Sequence, residues 1–215
     1  MRGRVLLVGM VTAMALAPGC RPRPGALPPP REAGDAGASS PAAPAVRITF
    51  VPQADIFAGA AREYERLWAA EGARIVAAME RVSGLRFASP VYADTAITAI
   101  VLEERSYSGF RDSPMHLRAS YPADTKKATL VHELGHRLQA GLFRRDEEEH
   151  GPLFLWLYDV WVALYGKPFA DAQVAVEKQR GGPYPAAWDA ALALTPAERA
   201  ARWRALVAER LPTRR

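Results

Sequence analysis

The chain has a single cysteine, Cys20, in 215 residues. No internal disulfide can form, and residues 21–215 offer no thiolate for metal binding or nucleophilic attack. Histidine is nearly as scarce, at four residues, so a site built on imidazole must draw on a handful of positions. An apolar run of about 20 residues, the length a spanning helix needs, is also missing. No segment repeats, which excludes solenoids and propellers. A surplus of one charge is lacking too. The formal net charge is +5, but Arg2, Arg4, Arg21, Arg23 and Arg31 precede the main body of the chain, against Glu32 and Asp35, which leaves 23 basic and 21 acidic side chains in residues 47–215. With no basic patch interleaved with aromatics, nothing there calls for nucleic acid.

What is present begins with a leader. Met-Arg-Gly-Arg, the apolar run Val5–Ala17 and then Pro-Gly-Cys read as the charged, apolar and small-residue zones of an export signal over residues 1–19. This resembles a bacterial lipoprotein signal, which implies that Cys20 becomes the lipidated first residue and that the domain faces the periplasm or the cell exterior. An ordinary secretory signal cut nearby is the alternative. Residues 20–45, rich in Pro, Ala, Gly and Ser, cannot bury enough apolar surface to offset chain entropy and read as a disordered tether. Residues 46–215 then form one domain, for which a 49% hydrophobic chain is ample.

Arg47–Val51 reads as a strand, and Phe57, Ala61, Tyr64, Leu67, Trp68, Ile75, Met79 and Val82 recur at helical spacing, predicting one long helix ending near Gly84. Residues 85–92, 96–103 and 115–120 read as strands. Residues 152–165, 169–180 and 196–210 read as helices, the last opened by the capping box Thr195-Pro196-Ala197-Glu198, with Pro183-Tyr184-Pro185 a rigid turn. The expected fold is α+β, with a small, mostly antiparallel sheet beside a long helix and a helical C-terminal part.

Three of the four histidines fall between 129 and 154. His132-Glu133-Leu134-Gly135-His136 sets two imidazoles one helical turn apart on one face, with a carboxylate beside them. Val131, Leu134, Leu138 and Leu142 supply the apolar stripe of that helix, Asp124 or Thr125 can cap its start and Gly141 can end it. Neutral imidazoles suit Zn²⁺, and three protein ligands leave one position for water, whose proton a carboxylate off the metal can take. The spacing thus supplies two ligands, His132 and His136, and a base, Glu133. For the third ligand the candidates are His150, Glu147, Glu148, Glu149 and Asp159. His150 leads, because Gly151-Pro152 after it marks a new helix with His150 at its tip.

The motif, with thirteen intervening residues and then His150-Gly151-Pro152-Leu153-Phe154, resembles the SprT-like (Spartan) branch of the zincin metallopeptidases. The resemblance covers about 26 residues. It implies a zincin-like fold, one Zn²⁺ per chain on His132, His136 and His150, and Glu133 as general base. It also implies that the strand before the metal helix lies at the sheet edge and pairs with an extended substrate, which makes His116 and Arg118 candidates for lining the cleft. Tyr184 is a further candidate, as a donor to the tetrahedral oxyanion.

The expectation is an envelope zinc metallopeptidase acting on a protein or peptide. The alternative is a non-catalytic zinc-binding lipoprotein that binds a partner, against which Glu133 counts, since a structural site needs no base. Proteolysis of DNA-bound proteins, suggested only by the SprT-like resemblance, sits poorly with an export signal and a nearly neutral domain.

Overall fold

A computed structural model describes residues 46–88, 95–108, 113–143 and 150–211. The leader, Cys20, the tether and Glu147 to Glu149 lie outside the described residues.

Strand β1, Arg47–Pro52, alternates strictly. Ile48 and Phe50 are buried, and Arg47, Thr49 and Val51 face out. The chain then enters α1, Ala58–Ser83, whose buried stripe includes Ala61, Tyr64, Trp68, Ile75 and Met79. Gly84 ends it in the left-handed conformation at φ 74, returning its N–H to Glu80 O, as the sequence predicts. Strand β2, Ala96–Leu102, and β3, Met115–Arg118, complete a three-stranded sheet of order β1-β2-β3.

The pairing corrects the antiparallel expectation. Both ladders are parallel, with Arg47 opposite Ala96 and Met115 opposite Ala99. For β1 and β2 the physical reason is α1. A helix of 26 residues carries the chain back along the sheet, so β2 starts at the same end as β1, as a βαβ crossover requires. Alternating burial reports that one face of the sheet is covered. It does not report strand direction, and reading it as antiparallel is where the inference failed.

Residues 85–88 also differ from expectation: they form no strand, and 89–92 lie outside the described residues. Leu85 and Phe87 are buried and mimic strand alternation. Their amides, however, are taken by side chains of α1, Leu85 N–H by Ser83 Oγ at 3.1 Å and Phe87 N–H by Glu80 Oε1 at 3.0 Å.

The remaining chain is helical: α2, Ala123–Gln139; α3, His150–Tyr165; α4, Lys167–Lys178; α5, Tyr184–Leu192; and α6, Pro196–Arg210. Helix α3 is apolar all round, with Leu153, Phe154, Leu155, Trp156, Leu157, Val160 and Trp161 buried, and it forms the centre against which α1, α2, α4, α5 and α6 pack. Pro183-Tyr184-Pro185 is not a free turn but the first turn of α5, where proline costs no hydrogen bond. The capping box of α6 is present, Thr195 Oγ1 accepting from Glu198 N–H at 3.3 Å and Glu198 Oε2 from Thr195 N–H at 2.8 Å. Trp203 Nε1 donates to Ser83 O at 2.7 Å, tying α6 to the end of α1.

Candidate metal centre

Helix α2 is buried along nearly its whole length, which a helix beside solvent would not tolerate in so polar a sequence. Several of its polar groups are individually matched. Lys126 pairs with Glu63 of α1. Arg137 donates from Nε to Ser108 O at 2.8 Å and also to Ser113 O, fixing the segments that flank β3. No side chain caps its start: Pro122 is the N-cap in place of the expected Asp124 or Thr125, and the helix stops at Gln139, short of Gly141.

Gly135, inside the histidine motif, lets α3 approach closely. A Cβ there would lie 2.6 Å from Leu153 Cδ1 and 3.3 Å from Trp156 Cη2. Because α3 begins at His150, that approach carries the third imidazole to the first two. His132, His136 and His150 each offer a ring nitrogen, all within 4.8 Å of one another, close enough to hold one metal ion. His132 Nε2 and His136 Nε2 are 3.1 Å apart, near the separation of about 3.4 Å for two nitrogens bound tetrahedrally at about 2.0–2.1 Å. His132 is buried, and the other two are partly buried.

The other ring nitrogen of His132 is equally defined. Nδ1 donates to Glu177 Oε1 of α4 at 2.7 Å, and Trp188 Nε1 of α5 donates to Glu177 Oε2 at 2.9 Å. A hydrogen on Nδ1 leaves the Nε2 lone pair directed at the cluster, the arrangement that orients metal-bound imidazoles. Trp188 is itself stacked on Phe154, ring centroids 3.8 Å apart. Burial pushes the Glu177 carboxyl up, but His132, Arg180 and Trp188 outweigh it and hold the group below the usual range.

Glu133 is 2% exposed. Burial raises its pKa to about 7, against the opposing pull of His136 and Arg180. A carboxylate so placed can exchange a proton near neutrality. Tyr184 closes the site over His150, ring centroids 4.5 Å apart. Burial, and then the charges of Glu133 and Glu177, push its phenol up to about 12, so it stays a neutral donor.

Of the residues singled out from sequence, His132, Glu133, His136, His150 and Tyr184 come together. His116 does not join them: its ring lies tilted against Tyr107, centroids 4.2 Å apart, with Nε2 3.1 Å from the Tyr107 hydroxyl. Arg118 pairs with Glu103 at 2.8 Å and reaches the site only through the Tyr121 ring, 5.7 Å from its guanidinium carbon. Asp159 is excluded as a ligand, since both its oxygens accept from Arg199, at 2.7 and 3.1 Å.

The edge-pairing expectation fails as well. Strand β3 is an edge strand, but its outward backbone groups are in use. His116 N–H and O exchange bonds with Tyr107 at 2.8 and 3.1 Å, Arg118 N–H donates to Ser106 Oγ at 2.9 Å, and Arg118 O accepts from Tyr64 OH at 3.0 Å. No substrate strand can add there without displacing them.

Sequence reasoning missed Glu177, Arg180, Trp188 and Tyr121. A signal for Glu177 existed: it occupies the buried stripe Ala170, Gln173, Val174, Glu177 at helical spacing, where an uncompensated carboxylate would be costly. Compared with family models, with curated proteins and with solved structures, the chain has no match.

Proposed function

We propose that the chain is a zinc-dependent metallopeptidase of zincin-like fold, akin to the SprT-like branch, exported to the bacterial cell envelope and anchored through a lipid on Cys20. The observation that carries this reading is the convergence of three imidazoles beside a buried carboxylate, with the tautomer of the first imidazole held by Glu177. The donor set fits zinc: three neutral nitrogens, no thiolate, and a hydrogen-bonded carboxylate behind one ring. Such an ion supplies Lewis-acid polarisation of a carbonyl and acidifies the water at its open position.

The chain's own part is proton handling and positioning. A carboxylate oxygen of Glu133 accepts the proton of the attacking water and returns it to the departing amine. Its pKa near 7, set by burial, suits both halves of that exchange. Tyr184 offers a phenol O–H on the His150 side, placed to donate to developing negative charge.

Metal content by mass spectrometry, for wild type, His150→Ala and Glu133→Ala, tests the reading together with a peptide-hydrolysis screen. The expected result is one zinc per chain in wild type and Glu133→Ala, marked loss in His150→Ala, and hydrolysis in wild type alone. Zinc without hydrolysis of any peptide points to the non-catalytic envelope lipoprotein, and wild type without zinc overturns the metal site itself.

A further inference from the structure

If a substrate does not pair with β3, side chains around the metal centre can hold it. One of them is the guanidinium of Arg180, whose charge acts on Glu177 and Glu133 but which makes no ion pair among the described residues. Arg180 follows α4, three residues after Glu177, so the helix that holds His132 also sets the position of Arg180. Gly181 and Gly182, at φ 71 and 58, then turn the chain in a left-handed conformation so that α5 brings Tyr184 back over His150.

The surroundings of Arg180 differ from those of several other arginines. Arg199 is bidentate on Asp159, Arg118 pairs with Glu103, Arg74 pairs with Glu71, and Arg137 is bonded to two carbonyls. Half-buried Arg180 has no carboxylate within ion-pairing distance among the described residues. Its hydrogen bond to Thr129 Oγ1 is long, at 3.5 Å, and its guanidinium carbon otherwise lies 5.9 Å from the Tyr121 ring centroid and 5.7 Å from that of Tyr184. Aromatic faces hold a guanidinium in place, and although Arg180 also hydrogen-bonds the Tyr184 side chain, a guanidinium has five N–H donors. Thr129 precedes Glu133 by one turn of α2, so the guanidinium stands near the base.

We propose that Arg180, clamped by Tyr121 and Tyr184, is a carboxylate-binding subsite in the wall of the metal centre, taking a free C-terminal carboxylate or an acidic side chain of the substrate. Charge selects a carboxylate. Arg180 carries one positive charge with no ion pair among the described residues, which a single carboxylate neutralises. Planar geometry agrees, because the guanidinium fork accepts a carboxylate through two parallel bonds.

The subsite rests on the peptidase reading for its substrate class, but its test does not need turnover. Isothermal titration of the full chain carrying Glu133→Gln, loaded with zinc, would use four probes: acetyl-trialanine as free acid and as amide, and acetyl-Ala-Glu-Ala-amide beside acetyl-Ala-Gln-Ala-amide. The expected result is at least tenfold tighter binding of the acid over its amide if the C-terminus is the source, or of Glu over Gln if a side chain is. That preference should vanish with Arg180→Gln, return in part with Arg180→Lys, and leave zinc content unchanged. Equal binding within both pairs, no binding of any probe, a preference that survives Arg180→Gln, or loss of zinc in that variant would each overturn it. If wild type cleaves nothing while the preference stands, the peptidase reading fails alone; if wild type cleaves peptides without preference, the subsite fails alone.

Discussion

His132 Nδ1 and Glu177 Oε1 lie 2.7 Å apart with side chains 1% and 3% exposed, a buried bond that joins α2 to α4 across 45 residues of chain. Removing the acceptor leaves a desolvated ring N–H behind, and the imidazole is free to rotate or change tautomer. Glu177→Ala should therefore weaken zinc binding by about 10–100-fold, measured by competition with a chromophoric chelator. Glu177→Gln, which keeps an acceptor oxygen, should recover part of the loss. Equal affinity in all three proteins would show that the bond does not orient the ligand.

Gly135→Ala reverses an ordinary rule. In a helix this change normally stabilises by about 1 kcal/mol. At this position the new methyl would meet Leu153 at 2.6 Å and Trp156 at 3.3 Å, so thermal unfolding should show a loss of about 1–3 kcal/mol from overpacking. Metal retention should fall with it, since α3 carries His150.

Asp159 and Arg199 form a structural pair joining α3 to α6. Arg199 is 3% exposed. Arg199→Ala should cost about 2–4 kcal/mol in denaturant unfolding, somewhat under the full range for a buried pair because the Asp159 side chain is 26% exposed. Asp159→Asn should lower stability less and leave zinc content untouched; loss of zinc would return Asp159 to the ligand set.

The pairing of Lys126 with Glu63 gives stability a pH dependence of known sign. The Lys126 hydrogen bond holds the Glu63 carboxyl below its ordinary value of 4.5. A depressed folded-state pKa contributes stability above the unfolded value and loses it as pH falls through the folded one. Wild type should thus be more stable than Glu63→Gln at neutral pH, with the gap in melting temperature closing below pH 4.5. A gap constant down to acid pH would mean the carboxylate charge is not what matters.

Local chemistry was readable from sequence and long-range geometry was not. The histidine motif, the Gly84 stop and the Thr195 capping box each depend on residues within a turn or two, and each appears as expected. Strand direction depends on what a connecting helix does, and the alternation of Ile48 and Phe50 carries no trace of it. Leu85 and Phe87 imitated a strand because burial alternates, while their hydrogen bonds went to α1. The partners of the site, Glu177, Arg180 and Trp188, lie 45 or more positions beyond His132, and only folding reveals them.

The division of labour around the centre has a kinetic consequence. The ligand nitrogens come from α2 and α3, while the orienting carboxylate, the arginine and the closing tyrosine all come from residues 177–184, which are interrupted by Gly181 and Gly182. A transient swing of this one short segment would release His132 from its acceptor and strip the cleft of its wall in a single motion. On the proposed reading, metal exchange and substrate escape would both depend on this one segment, and their rates should rise and fall together.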